Sequence, residues 1–299
     1  MSTEIWNELN ELRERAAPYI PLLPSGLLPE SVVGSFQALV LSYYREHGRS
    51  FPWRDTTDPY AVVVSEVMLQ QTQAHRVVEK YGEFLAAFPT FEELAAAPLR
   101  DVLAVWSGLG YNRRATGLKA LAERVMSEHA GRLPDTPGEL VRLPMIGKAT
   151  AGSICAFAFD SPVVFIETNI RRVYIHSFFP DATAVDDRDI EPFVAQTLHR
   201  RSPRTWYNGL MDVGTALASR VPNPNRRSKH YTRQSPFEGS LRQVRGEILR
   251  ILSREGEKGT DELARELPFD TRRVEEAVQH LAREGFLVLR RGRVGIRDD

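Results

Sequence analysis

Apolar residues recur at spacings of three and four through the first 220 positions, the period of helices that bury one face. Residues 36–46 form one such amphipathic stretch. A second opens at Asp58-Pro59, a capping residue followed by proline at the first helical position, and runs to residue 88 with a break predicted near Gln73. Further helices are predicted over 90–97, 99–106, 112–128, 136–142, 148–159, 169–178, 187–200 and 204–219. No series of alternating strands interrupts them, so the body is predicted to be all-α. Past a Pro- and Arg-rich break, helices are predicted over 241–254, 260–267 and 271–284. FLVLRRGRVGI then predicts two short strands around Arg291-Gly292. Three helices and a β-wing predict a C-terminal winged helix-turn-helix over 238–299, a fold that usually binds nucleic acid.

Composition narrows the setting. A chain of 299 residues predicts two domains and a sizeable core. The start, MSTEIWNELNELRER, is acidic and amphipathic rather than basic and then apolar, and no apolar run is long enough for a bilayer. A cytoplasmic, nucleoid-associated protein is therefore expected. Cys155 is the single cysteine, which excludes an internal disulfide and any all-cysteine metal site. The formal net charge is zero, so global charge does not point to nucleic acid. Local charge does. Residues 220–236 carry Arg220, Arg226, Arg227, Lys229 and Arg233 with no acid. This strap is either a solvated loop or a phosphate-facing segment, with Arg227 and Lys229 as candidate contacts.

Four stretches carry candidate chemistry. In SEVMLQQT, residues 65–72, Glu66 has Val62, Val63, Leu69 and Gln70 at helical spacing. Apolar neighbours disfavour the charged carboxyl, so Glu66 is either a general acid or a buried acid paired with a distant arginine. Gln70 and Gln71 can fill a base stack or bond a base edge. In LPMIGKATAG, residues 143–152, a helix, a tight turn and a new helix from Lys148 form the second half of a helix-hairpin-helix. Ile146, Gly147 and Lys148 would meet a phosphate at the new helix start. In VVFIETNIRRV, residues 163–173, Glu167 precedes a helix whose dipole is expected to keep it ionised; it is either a cap or the second carboxyl of an acid-and-stabiliser pair. In WSGLGYNRRA, residues 106–115, Gly108 and Gly110 place Tyr111 at a loop tip beside Arg113 and Arg114, as a base-stacking group or as core.

In this order and spacing, FPWRDTTDPYAVVVSEVMLQQT, WSGLGYNRRA, LPMIGKATAG, IETNIRRV and YNGLMDVGTAL resemble the helix-hairpin-helix DNA glycosylase superfamily, nearest to its adenine mismatch (MutY) branch. The resemblance covers residues 36–220. It implies an all-α, two-lobed fold after an N-terminal extension, 1–29, with a body over 30–235. One lobe would be 51–161 with the hairpin, the other 30–50 plus 162–235, and double-stranded DNA with a flipped base would lie between them. It implies Glu66 as the acid that protonates adenine and Glu167 at the position of the family's catalytic aspartate. Gln71 and Tyr111 match residues that enter the duplex around the mispair. Arg54, Leu69, Thr72, Leu109 and Asn169 match other residues lining the site.

The sequence also departs from the family pattern. Glu167 is one methylene longer than aspartate. Ala149 stands where bifunctional relatives carry a Schiff-base lysine, so lyase chemistry is not expected. Met145 replaces a hairpin glycine. The four-cysteine iron–sulfur loop and the domain that helps read 8-oxoguanine are missing, so neither cluster nor metal is expected. The resemblance thus implies a monomeric, monofunctional glycosylase for adenine opposite guanine or 8-oxoguanine. A thymine, uracil or damaged-base glycosylase, and a non-catalytic DNA-binding regulator, stand as alternatives. Arg272 and Arg273, with Arg290, Arg291 and Arg293, lie where a winged helix touches DNA, so auxiliary, non-specific binding is expected of that module.

Overall fold

Thr90, Glu167, Asp186, Ser240 and Asp270 cap helix starts through their side chains, and Ala130, Asp160 and Gly256 end helices at positive φ. The computed structural model describes residues 4–16, 28–232 and 237–297, and among them helices dominate. In chain order they are α1 (Glu4–Ala16), α2 (Glu30–His47), α3 (Pro59–Leu69), α4 (Ala74–Ala87), α5 (Phe91–Ala96), α6 (Leu99–Trp106), α7 (Arg113–His129), α8 (Pro137–Leu140), α9 (Lys148–Phe159), α10 (Thr168–Phe178), α11 (Asp187–Thr197), α12 (Pro203–Ala218), α13 (Leu241–Glu255), α14 (Thr260–Glu266) and α15 (Thr271–Arg283). Three strands, β1 (Lys258–Gly259), β2 (Leu287–Arg290) and β3 (Arg293–Ile296), form an antiparallel sheet in the order β1-β3-β2. No helix among the described residues is long and apolar enough to cross a membrane.

The chain packs as two compact units. The first comprises residues 1–59, 135–138 and 147–233. Its core is aromatic. Phe36 on α2 meets Tyr174, Phe178 and Trp206 edge-on at centroid distances of 5.5, 5.2 and 5.7 Å. Phe36 is fully buried, so its truncation to alanine costs about 3–5 kcal/mol. The N-terminal helix belongs to this unit: α1 buries Leu9 and Leu12 and packs on α2 and α10. Glycines let helices approach here. A Cβ at Gly214 on α12 would sit 2.6 Å from the Asn169 carbonyl oxygen, so only glycine admits the start of α10.

The second unit comprises residues 60–134, 139–146 and 234–299. Its helix α3 is apolar over most of its circumference, as a helix inside a core must be, and buries Val62, Val63, Val64, Val67 and Met68. Phe84 on α4 meets Trp106 on α6 at 5.8 Å. The C-terminal segment packs into this unit: α13 lies against α6, and the Arg100 guanidinium donates to the Ser253 carbonyl at 3.0 Å. Its element order is helix, strand, two helices and a two-stranded hairpin. Arg291 and Gly292 both take positive φ, 51° and 76°, the geometry that matches the twist of paired strands.

The packing draws its boundaries differently from the expected lobes. Residues 51–59 and α9 join the first unit, because α9 packs on α12 and Gly152 receives Phe165, whose Cβ would lie 2.4 Å from an added methyl. The C-terminal segment shares a unit with α3–α7 rather than forming one of its own. The helix expected over 136–142 is only Pro137–Leu140, followed by tight turns to Leu143.

Candidate active site

Glu66 lies in the second unit, half-buried on α3 between residues whose side chains are wholly in the core. What fixes this segment is a residue beyond it. Arg114 on α7 is 3% exposed. Its Nη1 donates to the carbonyls of Val67, Met68 and Gln70 at 3.1, 2.7 and 2.6 Å, and Nη2 donates to Thr72 Oγ1 at 3.0 Å. These are carbonyls that a helix C-terminus leaves without internal partners. Burial lowers the Arg114 pKa to about 10, which leaves it charged at neutral pH. The same guanidinium donates to the Gly110 carbonyl at 3.1 Å. One buried cation therefore holds both the end of α3 and the Tyr111 loop. Arg114 was expected as a cation beside a base-stacking tyrosine; its burial makes it internal scaffolding instead.

The loops it pins have left-handed backbones. Gln71 takes φ 56° and is exposed; Tyr111 takes φ 48° and is 37% exposed. Gly108 and Gly110 take φ 100° and 74°, which places the tyrosine at the tip as expected. Trp106 Nε1 donates to the Gly110 carbonyl at 3.1 Å, and Arg76 to the Gly108 carbonyl at 2.6 Å. Gln70 donates to the Met145 carbonyl at 3.4 Å. Leu69 and Thr72 are half-buried. Leu109 is 3% exposed and so belongs to the core rather than to a DNA-facing surface. Arg113 is paired with Glu284 at 2.9 Å, so its charge is shared with the C-terminal module.

The hairpin divides between the units after residue 146. Ile146 is 5% exposed, so it anchors the turn from inside and has little surface to offer a phosphate. Met145 takes φ 64°, a left-handed position that disfavours side chains. Its side chain fits because Gly117 faces it: a Cβ there would lie 2.1 Å from Met145 Cγ. In the first unit, Gly147 caps α9 with extended backbone, and nothing lies within 4 Å of where its Cβ would be. Gly147 and Lys148 are exposed.

Glu167, in the first unit, is the N-cap of α10. Its Oε1 accepts from the Asn169 and Ile170 amides at 2.6 and 2.8 Å, and Asn169 Nδ2 donates to Oε2 at 3.3 Å. Burial raises its pKa, against the lowering pull of those amides and of Arg171 and Arg172. The helix terminus pulls toward the ionised form as expected, but desolvation outweighs it, so the carboxyl pKa lies above its ordinary value. Asn169 is itself held, since Arg172 Nη1 bridges its side-chain oxygen and the Gly214 carbonyl, both at 2.7 Å. Asn225 Nδ2 adds a bond to the Thr168 carbonyl at 2.9 Å.

Two expected contacts turn out to be structural. Arg54 forks onto Asp212 with bonds of 2.8 and 2.9 Å, and Arg49 adds another at 2.6 Å; Asp212 is 1% exposed. Both ends of the planar fork bond that buried carboxylate, and Nη1 also donates to the Arg49 carbonyl at 2.7 Å. Asp212 was missed, although an acid within the apolar run YNGLMDVGTAL signals a buried pair. Arg227 donates to the carbonyls of Phe179, Pro180 and Ile175, closing the end of α10 rather than facing a phosphate. Lys229 is exposed and lies 3.6 Å from Asp186. Arg233 lies outside the described residues. In the C-terminal module, Arg272, Arg273 and Arg291 are exposed, while Arg293 donates to the Glu257 carbonyl.

Residues 64–192 match the family model described as HhH-GPD superfamily base excision DNA repair protein. The chain is 32% identical over 239 residues to the adenine DNA glycosylase of Mycobacterium tuberculosis, across 71% of this chain and 77% of that protein. It is 34% identical over 194 residues to the adenine DNA glycosylase of Buchnera aphidicola subsp. Baizongia pistaciae, across 63% of this chain and 54% of that protein. The chain thus spans about half the length of that relative. Among solved structures, a thermostable thymine-DNA glycosylase superposes with a TM-score of 0.59 and 26% identity, over 64% of this chain and 90% of that one.

Proposed function

The chain belongs to the HhH-GPD superfamily of base excision DNA repair proteins, and from that premise we propose that it is a monofunctional DNA glycosylase that removes adenine from mispaired duplex DNA. The observations that carry this are the 32% identity to an adenine DNA glycosylase and the superfamily match over residues 64–192, a range that holds Glu66 and Glu167. The target nucleotide leaves the stack, because a stacked base cannot be reached, at a cost of a few kcal/mol. Glu66 donates a proton to the purine and makes it a better leaving group. The sugar gains positive character as the N-glycosidic bond breaks. Ionised Glu167 stabilises that charge, and water completes the hydrolysis. At an effective dielectric near 20 and a separation of about 4 Å, such an attraction is worth about 4 kcal/mol, roughly a thousandfold in rate.

Double-stranded DNA is the partner. The open space at Gly147 supports a phosphate at the start of α9, where the backbone needs no glycine for its own conformation. Gln71 and Tyr111 enter the duplex, with Lys148 and Lys229 on its phosphates. The exposed arginines of the C-terminal winged helix add non-specific contacts. Ala149 has no amine for a Schiff base, so excision proceeds without strand cleavage. The four-cysteine cluster of the family does not fit this chain: Cys155, its single cysteine, is buried with Sγ on the Asp135 carbonyl. No step uses a cluster or a metal.

The likeness to a thymine-DNA glycosylase supports a second reading, with thymine or uracil as the excised base. A panel of duplexes carrying A opposite 8-oxoguanine, A opposite G, T opposite G and U opposite G separates the two. The first reading expects excision of A alone, abolished in Glu66→Gln by roughly a hundred- to ten-thousand-fold with duplex binding kept. Excision of T or U in preference to A, or near wild-type turnover of Glu66→Gln, overturns it.

A further inference from the structure

The Tyr111 loop is gripped from two sides of one unit. From within, Arg114, Trp106 and Arg76 hold the backbone carbonyls of residues 108–110. From the C-terminal module, Arg242, near the start of α13, donates through Nη1 to Tyr111 Oη at 2.7 Å. Its guanidinium carbon lies 5.7 Å from the centroid of the Tyr111 ring, and that of Arg114 lies 5.4 Å away. A second bridge runs beside it. Glu284, at the end of α15, pairs with Arg113 and also with Arg245 on α13. Partial burial works against the Glu284 charge, but the two guanidiniums outweigh it and lower its pKa. The backbone of the loop is thus fixed by the body, while its tyrosine ring lies near Arg114 of the body and Arg242 of the module, which also bonds its hydroxyl.

We propose that Arg242 is a positioning residue for Tyr111, so that the C-terminal module takes part in reading the mispair by presetting the aromatic that enters the duplex. The proposal rests on the reading of Tyr111 as a duplex-entering residue. An exposed tyrosine at a loop tip samples several rotamers, and ordering it on binding lowers affinity. A guanidinium over the ring that also bonds its hydroxyl removes that penalty beforehand. Arg242 then acts through Tyr111 on mispaired DNA rather than on the phosphates of any duplex.

The test measures affinity of the full chain for a duplex with one A·8-oxoguanine mispair and for the same duplex fully paired, across a salt series. Arg242→Ala is expected to lower the preference for the mispaired duplex by roughly three- to tenfold, with the salt slope kept. Arg242→Lys, which retains a donor, recovers part of the loss. Tyr111→Phe deletes the hydroxyl without touching the packing of the module, and shifts the preference in the same direction. In a Tyr111→Ala background, Arg242→Ala adds nothing further, because both changes remove one interaction. Additive losses, or a salt slope reduced by about 0.9 for both duplexes, make Arg242 a direct phosphate contact and overturn the proposal. If Tyr111→Ala itself binds the mispaired duplex like the wild type, the reading of the loop fails and this proposal fails with it.

Discussion

Glu66 stands in the interior of α3, whereas Glu167 stands before the first residue of α10 and is that helix's cap. The two helices are secured at opposite ends by side chains of opposite kind. The C-terminal carbonyls of α3 are held by a buried cation, Arg114, and the N-terminal amides of α10 by a carboxyl, that of Glu167 itself. Each arrangement follows from the unpaired groups that a helix leaves at that end. The difference separates structure from chemistry in one segment and joins them in the other. Arg114, from another helix, holds the C-terminal carbonyls of the Glu66 helix. Glu167 must both cap α10 and serve the proposed reaction, so substitutions there act on stability and rate together.

The largest expected effects lie at Glu167. Glu167→Gln should slow single-turnover excision roughly a thousandfold while leaving the fold in place. Glu167→Ala should lose the same rate and in addition about 1 kcal/mol of stability, the usual worth of an N-cap. Glu167→Asp, a better cap with the same charge, should retain both. Equal unfolding midpoints for the alanine and aspartate variants would mean that the cap contributes nothing. The next largest effect belongs to Arg114. Arg114→Met leaves the carbonyls of Val67, Met68 and Gln70 buried without their donor, and should lower stability by about 3 kcal/mol. Its excision rate should fall as well, since Glu66 and the Tyr111 loop lose their common support. A urea midpoint within error of wild type would remove Arg114 from this role.

The smallest effect is on pH dependence. Burial raises the Glu167 pKa, and the proposed chemistry needs the ionised form. Excision should therefore fall on the acid side at a pH above the usual carboxylate range. Stability has the opposite sign: the folded state holds this proton more tightly than the unfolded chain, so stability declines as pH rises from the usual carboxylate value through the raised one. Both dependences should vanish in Glu167→Gln. An acid limb that persists in that variant assigns the titration to another group.

Helix placement was legible because it is local: the period of apolar residues, Pro59 at the start of α3 and Gly292 in the hairpin each act on their immediate neighbours. The carboxyls were legible for the same reason, since Glu66 sits in an apolar helix and Glu167 immediately precedes one. The partners of the arginines were not. Arg54, Arg113, Arg114, Arg227 and Arg242 look alike along the chain, each a cation in or near a polar segment. Their fates differ because a long guanidinium reaches whatever the fold brings near, over separations of 158 residues for Arg54 to Asp212 and 131 for Arg242 to Tyr111. The same holds for Leu109 and Ile146, which packing buries, and for Met145, whose side chain fits because Gly117 leaves room. Most helical segments and the two candidate carboxyls were readable along the chain, since spacing and capping act between residues a few positions apart. Which cations hold helix ends, which acids they pair with and how the C-terminal module meets the Tyr111 loop came only with folding, which brings side chains far apart in the chain within bonding distance.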